Sequence, residues 1–256
     1  MNTEIKILKK PALKEPKLIG GLPGSGYVAK LVIDHLVKEM NAELFAEVYS
    51  YSFPPQILVK EDGTIELMKN ELYFSKTKAN GDLIILGGNA QAVSPEGQYE
   101  LSERVLDFAK ELGVKTVYMT AAYITGEHVK KTKIYGTATD STSLREMEKH
   151  GVTIMNEGSI TGSNGLLFGL AKPKGITGIC LLGETSGYIV DARAAQAVLE
   201  VLSKMLNIQV DMTALENRAK ETEKLIKKVE EMERRAMEQQ SGARAPSAKK
   251  PLGYIS

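Results

Sequence analysis

The sequence predicts an α/β fold: a three-layer sandwich with helices on both faces of a mainly parallel sheet, extended by a long C-terminal helix and a flexible tail. Three observations lead there. Residues 82–88 (DLIILGG) form an unbroken apolar run closed by glycines, the pattern of a central strand covered on both faces. Strand-like and helix-like periodicities alternate through most of the chain. Residues 213–240 contain neither glycine nor proline and are dominated by Glu, Lys and Arg, which reads as one helix.

The chain has 256 residues, enough for one large α/β domain with an appendage, and 43% hydrophobic with 25% charged residues is an ordinary globular composition. Three units are expected: an α/β domain over 1–211, a charged helix over 212–240 and a disordered tail over 241–256. Thirty-three basic against 32 acidic side chains leave a formal net charge of +1, so no global field draws the chain to nucleic acid or anionic lipid. No segment approaches the roughly 18 consecutive apolar residues of a membrane span, and the N-terminus intersperses charge and proline without a signal-peptide core. Cys180 is the single cysteine, which rules out an internal disulfide and argues against a thiolate zinc site. A cytoplasmic location is expected.

In chain order, residues 18–21 form a short apolar strand ending in glycines. Residues 27–40 come next, with apolar positions at 28, 31, 32, 36 and 40, a helical spacing. Residues 43–51, 56–60, 65–68 and 71–75 look extended, with Pro54-Pro55 and Asp62-Gly63 as turns, and are expected to run as consecutive antiparallel strands. After the 82–88 strand, Ser94-Pro95-Glu96 supplies a cap and a first-turn proline for a helix to about Leu112, where Gly113 stops it. A strand over 114–121, a strand over 134–140, helices over 141–150 and 165–171, a strand over 176–183 and a helix over 191–206 complete the alternation.

In the 213–240 helix, Leu215, Leu225, Val229, Met232 and Ala236 fall on heptad-like spacing, but Arg218 and Thr222 interrupt the stripe. Glu216/Lys220, Glu223/Lys227, Glu230/Arg234 and Glu231/Arg235 are i,i+4 pairs in the favourable order, each worth about 0.2–0.5 kcal/mol. The helix is therefore expected to stand in solvent. The tail, SGARAPSAKKPLGYIS, holds two prolines, two glycines, three cations and no acid, too little apolar surface to order itself.

The segment GGLPGSGYVAK (20–30) lies between strand and helix, and Gly24, Gly26 and Ala29 match a loose dinucleotide fingerprint; Gly20, Gly21, Gly24, Ser25 and Gly26 form the candidate ligand loop. Two parts are missing. No acid comes after the next strand to hold a ribose, and Tyr27 stands where a Walker loop needs lysine. A structural glycine turn is the favoured reading, with no bound cofactor.

His35, His128 and His150 have no second histidine or cysteine at ligand spacing, so no metal site is expected. Cys180 falls inside an apolar strand, where a thiol behaves as a small buried hydrophobe, and no serine sits in a nucleophile-elbow context. No catalytic residue is assigned. Asn89, Gln91, Asn164, Glu184 and Asp191 adjoin strand ends or helix starts, positions that line the ligand crevice of an open α/β sheet. For Asp191 and Asn164 a helix N-cap is the competing role.

In their order, GGLPGSGYVAK, LIILGGNAQ (83–91), VYMTAAYITGE (117–127), YGTATD (135–140), ITGSNGLLFGLAKPKGITGICLLGETSGY (160–188) and VDARAAQAVLEVL (190–202) resemble the proteasome assembly chaperone 2 family in its archaeal branch, across residues 15–215. The resemblance implies a sandwich of nucleoside phosphorylase/hydrolase architecture, a homo-oligomer, and engagement of the proteasome core particle α-ring by C-terminal segments rather than an enzymatic reaction. Tails of that kind end in a hydrophobic residue, a tyrosine and any residue. Here Tyr254 is third from the end and Ile255 takes the tyrosine position. The resemblance makes Tyr254, Ile255 and Ser256 the partner-binding residues, with Tyr254 as anchor and the Ser256 carboxylate as an ionic contact. Two other readings stay open: a scaffold pairing with a paralogous chaperone homologue, and a nucleoside- or nucleotide-binding enzyme using the 20–26 loop.

Overall fold

The computed structural model describes residues 3–77, 81–127 and 131–242. The expected tail, with Tyr254, Ile255 and Ser256, and His128 lie outside the described residues. The chain opens with strand β1 (Thr3–Ile7), for which the sequence carries no clear signal, then β2 (Lys17–Gly20), helix α1 (Val28–Glu39) and β3 (Glu43–Ser50). Strands β4 (Ile57–Val59), β5 (Ile65–Leu67), β6 (Asn70–Ser75) and β7 (Leu83–Gly88) precede α2 (Pro95–Glu111), which Ser94 caps by accepting from the Gly97 amide. Then come β8 (Thr116–Ile124), β9 (Ile134–Ala138), α3 (Ser141–Lys149), β10 (Thr153–Ile154), α4 (Gly162–Ala171), β11 (Thr177–Thr185), α5 (Ala192–Leu206) and α6 (Thr213–Gly242).

Nine strands form one mixed sheet in the order β1-β3-β6-β7-β2-β8-β11-β9-β10. Its centre, β7-β2-β8-β11, is parallel, and the strands on either side of it join antiparallel. Strands β7 and β11 are buried along almost their whole lengths, as a doubly covered strand must be. On one face Leu101, Val105, Leu106 and Phe108 of α2 and Leu167 and Ala171 of α4 pack on Leu18, Ile84, Leu86, Val117 and Leu182. On the other, Val32 and Leu36 of α1, Val198 and Leu202 of α5 and Met147 of α3 pack on Ile19, Ile85, Ile179 and Leu181. These are the three layers the sequence predicts.

Two expectations need correction. The extended segments between residues 43 and 75 do not form one meander: β4 and β5 make a separate two-stranded hairpin, and β6 returns to pair with β3. Register explains why. Ile57 faces Leu67 and Val59 faces Ile65, and all four are 48–69% exposed, while Leu58 on the opposite face packs against the core. The alternation is real, but the apolar face points outward.

Helix α6 does not stand free along its length. Leu215, Ala219, Thr222 and Ile226 are buried, the first and second of them against the α1/α5 side of the core. The buried stripe therefore differs from the heptad-like one: Leu225 and Met232 are 48% and 57% exposed, and small Ala219 and Thr222 let the helix approach α5. His35 Nε2 lies 2.6 Å from the Asp211 carbonyl and fastens the start of α6 to α1. Among the described residues no helix is long and apolar enough to cross a membrane.

Candidate functional site

Strand order reverses around β2. The chain leaves β2, returns as β7 on one side and crosses through α2 to β8 on the other. A crevice therefore opens at the carboxyl ends of these strands. It has a volume of about 780 Å³ and is bordered by Gly24 and Ser25, by Gln91 and Gln98, by Tyr123 and by the 155–164 segment leading into α4. The 20–26 loop is its edge.

The loop's glycines answer to different constraints. A side chain at Gly21 would place Cβ 2.4 Å from Thr120 Oγ1 and 2.8 Å from the Ala29 carbonyl, so only glycine lets α1 pack this close to the sheet. Gly26 has φ of +62° and turns the chain into α1, whereas a Cβ at Gly24 would meet nothing closer than 3.8 Å. Gly21 and Gly26 therefore serve the backbone path.

Backbone donors on both sides of Gly24–Gly26 are committed. Gly21 N–H donates to Leu86 O at 3.2 Å, Leu22 N–H to Asn164 Oδ1 at 2.9 Å and Tyr27 N–H to Gly24 O at 3.0 Å, while Val28 N–H turns back on Ser25 O. A phosphate cradle needs such donors free and aimed at the ligand. Among the described residues bordering the crevice there is no lysine, arginine or histidine to add positive charge.

Of the five polar residues expected at a crevice, two meet there. Asn164 clamps the loop: besides accepting from Leu22 N–H, its Nδ2 donates to Leu22 O at 3.0 Å. Asn164 is thus not an N-cap. Thr161 takes that position in α4, and Asn164 reaches out of the helix's first turn. Gln91 donates to Pro23 O at 2.6 Å and accepts from Ser163 N–H at 2.9 Å, tying the loop to α4. Ser163 Oγ contacts the Gln98 amide at 3.2 Å, so this hydroxyl has an amide and not a base beside it.

Asp191 sits behind the loop as the N-cap of α5, accepting from Arg193 and Ala194 N–H at 3.2 Å each and from Thr185 Oγ1 at 3.0 Å, while its own N–H bonds Gly26 O. Asn89 and Glu184 lie elsewhere: Asn89 accepts from Lys69 N–H at 2.9 Å, and Glu184 from Lys133 N–H at 3.1 Å. Asn89 and Glu184 therefore drop out as crevice residues.

Cys180 is fully buried, and burial pushes its thiol far above the usual range, which keeps it protonated. His150 closes α3 beside Glu146 at 3.4 Å, and no cluster of His, Cys, Asp and Glu suited to a metal occurs among the described residues.

A charged cluster on β3 and β6, level with the carboxyl end of β7 but outside the crevice, has no local signature in the sequence. Lys69, its side chain 11% exposed, meets Glu47 at 2.6 Å, Glu66 at 2.7 Å and Glu71 at 3.0 Å. The Lys69 hydrogen bond holds the Glu47 and Glu66 carboxyls below their usual range, and burial together with Glu71 raises the Tyr73 phenol. The cluster joins hairpin β4–β5 to the sheet, since Glu66 belongs to β5 and Glu47 to β3.

Around the crevice several large apolar side chains face solvent: Tyr27 (48%), Val93 (68%), Ile124 (58%) and Tyr188 (80%). The rim of the crevice thus offers aromatic and aliphatic contact surface, a composition suited to protein contacts.

The chain is similar to solved structures along nearly all its length. The crystal structure of Pyrococcus furiosus PbaB, an archaeal proteasome activator, superposes with a TM-score of 0.84 at 38% identity, covering 90% of this chain and 99% of that one. Pyrococcus furiosus PbaA, an archaeal homolog of proteasome-assembly chaperone, gives 0.75 at 29% identity over 95% and 99%. MJ1210 of Methanocaldococcus jannaschii is 39% identical over 244 residues, 95% of this chain and 93% of that protein. With the PAC2 family model matching residues 18–230, the chain belongs to the PAC2 family.

Proposed function

We propose that the chain is a cytoplasmic, non-enzymatic proteasome assembly chaperone homologue, a homo-oligomer that engages the proteasome core particle through Tyr254, Ile255 and Ser256. The observation that carries this reading is the likeness, over nearly the full length of both chains, to a protein described as an archaeal proteasome activator. Helix α6 supports it. The helix is anchored through Leu215, Ala219 and Ile226, whereas its described side chains beyond Val229, such as Met232 and Arg235, are exposed. A helix fixed at its N-terminal end leaves its described far side chains open to contact with a partner. Several C-terminal segments on one oligomer gain effective concentration, with avidity gains of about 10² to 10⁴ when spacing permits. The amide beside Ser163 supports binding over catalysis.

The test is co-sedimentation of purified archaeal core particles with the full chain and with a chain ending at residue 242. The full chain is expected to co-migrate and the shortened one to lose this while keeping its melting temperature. Equal co-migration of both overturns the role of the C-terminal segment. Failure of the full chain to co-migrate, with capture of a second PAC2 protein instead, favours a scaffold that pairs with a paralogue.

A further inference from the structure

The nine-stranded sheet ends on one side at β1, whose outer edge pairs with no described strand. Leu8 N–H donates to Phe45 O at 2.8 Å, and Ile7 lies opposite Ala46. By antiparallel alternation the backbone groups of Glu4 and Lys6 then face β3, and those of Thr3, Ile5 and Ile7 face outward. Thr3 N–H finds Glu100 Oε1 of α2 at 3.1 Å; Ile5 and Ile7 carry the rest of the open edge. Such an edge is a template for another strand unless a proline, a bulge or a cover blunts it. Here β1 pairs with β3 residue for residue from Thr3 to Ile7 with no register shift, and contains no proline.

The side chains add a self-complementary code. Ile5 packs on the core, while Glu4 and Lys6 are exposed on the opposite face. We infer that β1 is the seam of a two-fold assembly, in which it pairs antiparallel about Ile5 with β1 of a second copy of this chain and continues the sheet across both. This rests on the homo-oligomer reading above and names its interface. In this register Ile5 exchanges two backbone hydrogen bonds with its symmetry mate, and Glu4 stands opposite Lys6 of the second copy, twice. Moving the two-fold axis by one residue sets Lys6 against Lys6, so charge selects the register.

The surroundings fit a buried seam. Ile7 and Leu8, each 46% exposed, lie at its end. Beside it a groove of about 840 Å³, bordered by Lys6, Tyr49, Tyr51, Ile57 and Leu67, brings the hairpin's outward apolar face to the same side. A second copy seated on the edge has that surface to cover.

The test is sedimentation velocity on the full chain across a concentration series. Glu4→Lys and Lys6→Glu are each expected to weaken association about tenfold, because two attractive pairs become two repulsive ones. The double variant E4K/K6E is expected to restore it. Lys6→Glu also loses the 3.8 Å contact with Glu47, but so does the double variant, so restoration isolates the seam. An oligomer unchanged by either single reversal, or a double variant no tighter than the singles, overturns the inference while leaving the homo-oligomer intact. A wild-type chain that stays monomeric at micromolar concentration overturns the homo-oligomer reading and the seam with it.

Discussion

Replacing Asn164 with alanine tests whether the glycine loop is held by a single buried amide. Leu22 is fully buried, and both its backbone N–H and its carbonyl bond the Asn164 side chain, at 2.9 and 3.0 Å. Alanine removes both partners, leaving one donor and one acceptor of a buried residue unsatisfied. Each such group costs about 1–3 kcal/mol, so Asn164→Ala should destabilise the fold by about 2–6 kcal/mol. For a domain of this size 1 kcal/mol corresponds to roughly 2–4 °C, which makes the expected fall in melting temperature about 4–24 °C. Differential scanning calorimetry gives the readout. Thr161→Ala is the control: Thr161 occupies the N-cap of the same helix without a side-chain cap bond, and its loss should leave the midpoint within about 1 °C. If Asn164→Ala lowers the midpoint no more than Thr161→Ala does, Asn164 does not pin the loop, and the reading of residues 20–26 as a clamped structural turn is refuted.

Two further outcomes rest on buried groups. Lys69→Met should cost about 2–3 kcal/mol at pH 7, less than the loss of one partner from a fully buried pair because the three glutamates are 12–27% exposed. The pH dependence should change sign. In the wild type the Glu47 and Glu66 carboxyls are held low, so their stabilisation is present above about pH 4.5 and is lost as pH falls below it. Without the ammonium the clustered carboxylates repel, and urea unfolding of Lys69→Met should show stability returning as pH falls from 7 to 5; a further loss over that range contradicts the assignment. Cys180, fully buried, should react with a thiol reagent only after unfolding, and rapid labelling of the native chain contradicts its placement in the core.

The parallel centre of the fold was legible because both its cues are local. The unbroken apolar run of β7 and the Ser94-Pro95 helix start each depend on neighbouring residues alone. The features that escaped depend on distant partners. Strand β1 has apolar residues only at Ile5 and Ile7 and becomes a strand by pairing with β3, about forty residues on. Strand β10 is two residues long, too short to show a period. In β4 and β5 the alternation was visible but not which face met the core, because Ile57, Val59, Ile65 and Leu67 look like inward residues and point outward.

At the crevice the glycines and the Asp191 cap could be read from composition and spacing. The Asn164–Leu22 clamp spans 142 residues and leaves no local trace. In α6 the burial of Ala219 and Thr222 in preference to Leu225 reflects close approach to α5, a constraint that hydrophobicity alone does not encode.

Binding of this PAC2 chain to the core particle through its C-terminal residues is tested most directly by titrating immobilised archaeal core particles, with surface plasmon resonance as the readout. The wild-type chain and Tyr254→Ala are compared. Loss of an aromatic anchor should weaken binding by about 1–2 kcal/mol per engaged segment, multiplied in an oligomer that engages several at once. Binding that is saturable for the wild type and weakened at least tenfold by Tyr254→Ala is the predicted result; equal affinities for the two would contradict it.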